Sequence, residues 1–253
     1  LAMYQIKSRG KDSYCFFDER MLVDNSARLS LERDLRRALR EGELTVYYQP
    51  QVCLRNGRVT GLEALVRWQH PERGLLLPAE FLPLAAETNL IAEISHQVLE
   101  RACAEVGKWI SEGYRDLRLA INLSAVQVEH PMFTEQLVSH LQRMGFPPSN
   151  LEIEITENVI MNDLEQVTHT LRELADHGVR IAVDDFGTGY SSLNYLHHLP
   201  IHVLKIDRSF VQDIRSEDDG ACIVNAIIAM ARGLKLEIVA EGVETREQLN
   251  YLT

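Results

Sequence analysis

From Leu44 onward, short β-branched or apolar runs alternate with longer stretches whose apolar positions recur every three to four residues. The short runs predict strands at Thr45 to Gln49, Gly61 to Val66, Leu117 to Asn122, Leu151 to Ile155, Arg180 to Val183, Val203 to Ile206 and Glu237 to Ala240. Helical periods fall at Pro78 to Glu87, Ile91 to Ser111, Met132 to Met144, Leu164 to His177 and Asp219 to Gly233, with a further start at Thr245. Strands alternating with helices indicate parallel βα units. The first two strands are instead joined by Arg55-Asn56-Gly57-Arg58, and Asn-Gly is a strong hairpin signal, so one antiparallel edge is expected. Upstream, Leu31, Leu35 and Leu39 recur every four residues within Ser30 to Arg40. Ser30 is the expected N-cap of that helix, with Glu32 and Asp34 in its first turn. Leu1 to Asp18 reads as a detached piece: a short helix, a Gly-Lys-Asp turn and an aromatic strand. The expected organisation is therefore 1–18, a linker and helix over 19–43, and a main domain over 44–253.

At 253 residues the chain can fill one large barrel or two small domains. A net charge of −11 leaves no basic face for tracking a long nucleic-acid backbone. A small anionic substrate remains compatible with it, because bound divalent cations invert a local field. Cys15, Cys53, Cys103 and Cys222 are scattered without a zinc or Cys-x-x-Cys spacing, which reads as free thiols in a reducing compartment. No run approaches the ~20 apolar residues of a membrane span, and the most apolar segment, Ala221 to Leu234, contains Asn225 and Arg232. Without a signal peptide the expected location is cytoplasmic, although a parent protein anchored through other segments is compatible with a chain that opens on Leu.

The informative feature is where the polar residues fall. Nearly every expected strand ends in a residue able to bind a metal or a phosphate: Glu63, Asn122, Glu154, Asp184 with Asp185, Lys205 and Glu241. Barrel enzymes assemble active sites from the C-terminal ends of several strands, whereas a doubly wound sheet uses one switch point with a Gly-rich loop, absent here. Each residue also has an ordinary reading. Asn122 before Ser124 fits a helix cap, Asp184-Asp185 before Gly187 and Gly189 fits a turn, and Lys205 fits a surface charge. Jointly the ordinary readings fail, because Glu63, Asn122, Glu154 and Asp184 each interrupt or end a run suited to burial. Buried charge is too costly to recur so often without a compensating cation. The ligands are oxygen donors with no Cys or His at a strand end, favouring Mg²⁺ or Mn²⁺ over zinc. His96, His169, His177, His197 and His198 read as structural or exposed. Adjacent Asp184 and Asp185 point to opposite faces of a regular strand, so joint service in one site requires a departure from β geometry, which the downstream glycines permit. Such a pair suits two cations sharing one Asp, the two-metal plan for in-line phosphoryl chemistry.

These residues fall in a recognisable series. YYQP (Tyr47 to Pro50), EALVRW (Glu63 to Trp68), NLS (Asn122 to Ser124), EITE (Glu154 to Glu157), DDFGTGYSSL (Asp184 to Leu193), KID (Lys205 to Asp207) and AEGVE (Ala240 to Glu244) occur in one order. From about Leu44 to its end the chain resembles the EAL domain, a cyclic di-GMP phosphodiesterase family. Leu1 to Asp18 resembles the closing helix and strand of a GGDEF domain. The resemblance implies a modified TIM-type (β/α)8 barrel with an antiparallel first strand. It implies that Glu63, Asn122, Glu154 and Asp184 hold one cation and Asp184 and Asp185 a second. Glu241 would stand at the second cation or its waters, a general-base role being open to it. Lys205 would orient the attacking water. By spacing alone, Asp207, two residues on, can lie on the same strand face and fix its ammonium. Gln49, the Leu65 backbone, Arg67 and Glu244 resemble substrate-binding positions, and Glu157 the residue that braces the DDFGTGYSSL loop. The implied cofactors are two Mg²⁺ or Mn²⁺ ions, Ca²⁺ being inhibitory. The implied partners are cyclic di-GMP and a second copy of the chain, docked near that loop. Family members continue with a further helix, a Gln-Gly-Tyr strand end and a terminal helix, so the last strand of the barrel is expected to be missing here.

Two other functions compete. A receptor module would keep the pocket without catalysis, yet such receptors lack a metal ligand or the Lys, and this set is complete. A different Mg²⁺-dependent barrel hydrolase conflicts with the motif order.

Overall fold

The computed structural model describes residues 19–188, 196, 198–214 and 222–253. The expected features at Leu1 to Asp18, in the segment 189–195, at His197 and at Asp219 to Ala221 lie outside the described residues. The chain divides into two compact units, one comprising residues up to Thr45 with Val66–Ile94, the other Val46–Leu65 with Ser95–Thr253.

The smaller unit is built on helix α1 (Glu19–Glu41), which starts well before the expected Ser30. Nothing in ERMLVDNSARLS breaks a helix, so Ser30 sits mid-helix and its Oγ donates to Asp34 Oδ2 at 3.4 Å rather than capping. Leu35, Ala38 and Leu39 of α1 are buried, as are Phe81, Leu84 and Ala85 of α2 (Pro78–Glu87). Trp68 and Phe81 meet edge to face at 5.6 Å between ring centres. The indole Nε1 donates to Glu43 Oε2 at 2.9 Å, and Arg37 reaches Glu43 Oε1 and Asp34 Oδ1 at 3.1 Å each. A short strand that the sequence pattern did not reveal, β3 (Gly74–Leu76), pairs antiparallel with the end of β2 (Val59–His70), Trp68 facing Leu76.

The larger unit carries most of one sheet. Its order is β1 (Leu44–Val52), β2, β4 (Arg118–Asn122), β5 (Leu151–Thr156), β6 (Arg180–Phe186), β7 (Val203–Ile206) and β8 (Glu237–Ala240). β1 turns back into β2 with the Cys53 amide bonded to the Arg58 carbonyl at 2.9 Å, the hairpin that Asn56-Gly57 foretells. From β2 to β8 the consecutive pairs of this order are parallel. Parallel neighbours need a crossover. These are α3 (Ile91–Ser111), α4 (Ala125–Val128) with α5 (Phe133–Met144), α6 (Glu157–Asn162) with α7 (Leu164–Asp176), and, between β7 and β8, α8 (Arg208–Gln212) with α9 (Cys222–Gly233). Helix α10 (Arg246–Leu252) follows β8, its N-cap Thr245 where expected. Burial on both faces explains the continuous apolar runs Leu119–Ile121, Ile181–Val183 and Val203–Leu204. Arg118 in β4 meets Glu237 in β8 at 2.6 Å, although the two strands are four places apart in the sheet. A flat sheet would separate them by about 19 Å, so this sheet curls back on itself. The α/β class and parallel barrel-type layout expected from the sequence are therefore observed.

The short helices α4, α6 and α8 escaped the sequence pattern because four to six residues cannot show a period. Ser124, rather than Asn122, is the cap of α4.

Candidate active site

The C-terminal ends of five neighbouring strands converge on Lys205. This residue lies in β7, and its side chain is 1% exposed. Its ammonium stands 2.7 Å from Glu241 Oε1, 2.8 Å from Glu154 Oε2, 3.1 Å from Asp184 Oδ2 and 3.5 Å from Glu63 Oε2. Asn122 Nδ2 bridges two of these carboxylates, donating to Glu63 Oε1 at 2.9 Å and Glu154 Oε2 at 3.2 Å. The strand register places the ligands as a staircase: Asn122 pairs with Glu154, Glu63 lies opposite Ala120, two residues short of Asn122, and Asp184 lies opposite Thr156, two residues beyond Glu154. Glu63 is not at a strand end as expected but midway along β2, whose pairing runs on to His70.

Asp185 joins the site by leaving the strand conformation. Its φ is +52°, and the ladder between β6 and β7 shifts between Val183 and Phe186. Asp tolerates that left-handed region better than most residues. The turn is held by the Asp185 carbonyl, which accepts from the Thr188 hydroxyl at 2.8 Å, and by Glu157, whose Oε2 accepts from the Gly187 amide at 3.3 Å. Gly187 has φ +94°, and a Cβ there would come within 3.0 Å of the Phe210 ring, so both backbone and space require glycine. Glu157 thus contacts the start of the loop it was expected to brace. After β8, the Glu241 amide donates to the Ile206 carbonyl at 3.1 Å, which fixes the base of that side chain.

Charge balance is the decisive property. Glu63, Glu154, Asp184, Asp185 and Glu241 face one ammonium, leaving four negative charges when all are ionised. Glu154 is fully buried, and burial together with the neighbouring Glu63 and Asp184 carboxylates drives its carboxyl well above the ordinary range, despite Lys205. Burial likewise raises Glu241 and Asp185, the latter helped by Asp184 and Asp207. For Lys205, burial alone would lower the pKa, but Glu154, Asp184, Glu63 and Glu241 outweigh it and hold the ammonium firmly protonated. Two observations fit a divalent cation. Glu154 Oε1 is buried with no hydrogen-bond partner, and single ligand atoms of Asp184, Asp185 and Glu241 lie within 4.8 Å of one another. All are hard oxygen donors.

A further expectation is overturned. Asp207 does not fix the Lys205 ammonium: its carboxylate caps α8, accepting from the Ser209 amide at 2.9 Å and from the Ser209 hydroxyl. Beyond Ile206 the strand ends, so the alternation that would have placed both side chains on one face no longer applies. Of the substrate-binding candidates, Leu65 and Arg67 are half-buried at alternate positions of β2, and Gln49 and Glu244 are exposed. Glu244 lies next to the α10 cap, where its amide donates to Gln248 Oε1 at 2.7 Å.

A curled parallel sheet with an acidic cluster at its C-terminal strand ends defines a class of barrel-type domains, and the comparisons give the class a name. The EAL domain family model matches residues 32–253, and the chain belongs to that family. Over its whole length it is 45% identical to the bifunctional diguanylate cyclase/cyclic di-GMP phosphodiesterase MucR of Pseudomonas aeruginosa, spanning 37% of that protein. It is 42% identical to the cyclic di-GMP phosphodiesterase NbdA of the same organism, spanning 32% of it. The chain thus corresponds to about a third of the length of these curated relatives. Among solved structures, the PaMucR phosphodiesterase in complex with c-di-GMP superposes with a TM-score of 0.84 at 46% identity, covering 88% of this chain and 90% of that one. No helix among the described residues is long and apolar enough to cross a membrane.

Proposed function

We propose that this chain hydrolyses cyclic di-GMP to linear 5′-pGpG with the help of two Mg²⁺ or Mn²⁺ ions. The observation that carries the reading is the Lys205 ammonium enclosed by four carboxylates, with the Asp185 carboxylate beside them. Family membership and the phosphodiesterase names of the relatives support the substrate. Glu63, Asn122, Glu154 and Asp184 would hold one cation, and Asp184 and Asp185, with Glu241 adjoining, the second. Such cations polarise phosphoryl oxygens and acidify a bound water.

The protein's own groups do the rest. Lys205, held protonated by its neighbours, directs an N–H at the attacking water and at charge that grows on the phosphorus oxygens. Glu241, its proton affinity raised by burial, is suited to accept the proton that the water loses. Arg67 suits a phosphate oxygen through its planar fork. Gln49, the Leu65 backbone and Glu244 complete the proposed substrate contacts, and Glu157 the support of the loop after Asp185. A homodimer through the face beside that loop is proposed as well. Exposed Met161 and Leu164, on the elements that follow Glu157, support it, and sedimentation of the purified chain tests it.

Product analysis tests the function. Purified chain with cyclic di-GMP and Mn²⁺ should yield linear pGpG, while Ca²⁺, with its longer bonds and higher coordination, should not support turnover. Tight binding without product would favour the receptor reading instead.

A further inference from the structure

The residues proposed for the two cations are held in different ways. Glu63, Asn122 and Glu154 each occupy a regular ladder pair of the sheet. Asp185 and Glu241 do not. Asp185 lies where the ladder between β6 and β7 shifts, with its backbone in the left-handed region, and Glu241 comes one residue after the end of β8. Their ligand atoms nevertheless lie within 4.8 Å of each other. Glu241 is tied to β7 through its amide and the Ile206 carbonyl. The Asp185 turn is tied by the Thr188 hydroxyl and the Glu157 carboxylate, and neither bond connects it with β7.

What these two arms share is α8, which starts directly after Lys205 and Ile206 with Asp207 as its cap. Its first residue lies on the Glu241 side. A Cβ on Gly242, whose φ is +69°, would stand 2.6 Å from Arg208 Cβ and 3.3 Å from Arg208 Cα. Its third residue lies on the Asp185 side. A Cβ on Gly187 would stand 3.0 and 3.2 Å from two ring carbons of Phe210, with Ile227 Cδ1 of α9 at 3.7 Å. Gly187 follows Asp185 by two residues, and Gly242 follows Glu241 by one. The helix is therefore seated against both arms at once. The two contacts differ in kind: Arg208 offers atoms that alanine also carries, whereas Phe210 offers its ring.

We infer that Phe210 is a positioning residue for the second cation: its ring, wedged against Gly187, sets how far Asp185 stands from Glu241. The inference rests on the two-cation phosphodiesterase reading. Close-packed contacts transmit displacement because they leave no slack. Without the ring, Gly187 has space to sink toward α8, and Asp185 moves with it. Phe210 is half-buried, so its truncation leaves the closed core in place.

The experiment compares Phe210→Ala, Phe210→Leu and Arg208→Ala with the parent chain. It reads Mn²⁺ binding by calorimetry, kcat and KM as a function of Mn²⁺, and the melting temperature of the metal-free protein. Phe210→Ala should weaken one of the two bound Mn²⁺ ions roughly 10-fold, the scale of losing a group that orients a metal ligand, and change the other less than about twofold. The Mn²⁺ concentration that half-saturates turnover should rise by the same factor, while KM at saturating Mn²⁺ changes less than about twofold. Turnover lost at low Mn²⁺ thus returns at high Mn²⁺, which a loss of stability alone does not produce. Phe210→Leu, which fills part of the space, should fall between Phe210→Ala and the parent. Arg208→Ala keeps the Cα and Cβ that face Gly242 and should bind Mn²⁺ as the parent does. Unchanged Mn²⁺ affinity in Phe210→Ala, or equal weakening of both ions, overturns the inference whatever happens to the melting temperature. So does an Arg208→Ala variant as impaired in Mn²⁺ binding as Phe210→Ala, or a parent chain that binds fewer than two ions. Should the parent bind two Mn²⁺ and form no pGpG, the proposed function fails, and calorimetry alone then decides whether Phe210 positions Asp185.

Discussion

The two ends of the same strands carry opposite electrostatic designs. At the N-terminal end, Arg118 of β4, Glu152 of β5, Arg180 of β6 and Glu237 of β8 form a network in which two positive charges meet two negative ones. At the C-terminal end, Asn122 of β4, Glu154 of β5, Asp184 of β6 and Glu241 just after β8 join Glu63 and Asp185 around Lys205, the only cation of the set. One end is balanced, and the other would hold four negative charges too many with every carboxylate ionised. The strands are identical up to a shift of two to four residues, so the fold does not impose the imbalance. Charge left uncompensated in a buried place destabilises the protein, and it persists where the chemistry requires it. This contrast supports the proposed placement of the site at the C-terminal end.

The sharpest way to break the contrast is to remove a ligand from the acidic end. Glu63→Ala should reduce turnover below about one-thousandth while leaving the fold intact, since the variant loses a half-buried charge rather than core volume. Undiminished turnover would remove the metal mechanism. Next in size, Lys205→Ala should lower kcat roughly 10²–10³-fold, as expected for a lost electrostatic donor. Arg67→Ala should chiefly raise KM, because it removes binding common to substrate and transition state. Lys205→Ala with lost affinity and near-normal kcat would reverse the roles assigned to the two cations.

A third substitution turns the comparison into a stability measurement. Asp185→Asn removes a charge whose proton affinity is raised by burial and by Asp184 and Asp207, and Asn accepts the left-handed backbone at that position. In the metal-free protein it should add about 1 kcal/mol, seen as a higher melting temperature, and it should lose activity. Equal or lower stability would mean that the acidic end is not strained. The smallest effect belongs to the balanced end. For Glu237, burial alone would raise the carboxyl, but Arg118 and Arg180 outweigh it and hold it below its usual range. Its contribution is therefore complete above the ordinary carboxylate range and disappears as pH falls through the lowered folded-state value. Arg118→Met should flatten that acid limb of the melting profile slightly. A variant profile superposable on the parent's would show the pair to be idle.

How much of this could be read from the sequence depended on the kind of signal. Val203 to Ile206 and Glu237 to Ala240 emerged at their true limits, because buried parallel strands bounded by polar residues have sharp edges. Glu63, Asn122, Glu154, Asp184, Asp185, Lys205 and Glu241, which the structure brings together, stand out in the sequence because polar residues in apolar runs are conspicuous before any geometry is known. The start of α1 was misjudged at Ser30, since a good capping residue inside a long helix looks the same as one at its end. Asp207 was assigned to Lys205 by extending strand alternation one residue past the strand. The Arg118–Glu237 pair was missed altogether. Its partners lie 119 residues apart, each in an ordinary polar position, and only the curl of the sheet brings them together.

The central claim is that the acidic end is completed by divalent cations and the balanced end is not. Calorimetric titration of the chelator-treated chain with Mn²⁺ tests it most directly, run on the parent, on Glu63→Ala and on Glu237→Gln. The account predicts saturable binding in the parent that Glu63→Ala abolishes and Glu237→Gln leaves close to the parent's. No binding by the parent, or binding that survives Glu63→Ala undiminished, would contradict it.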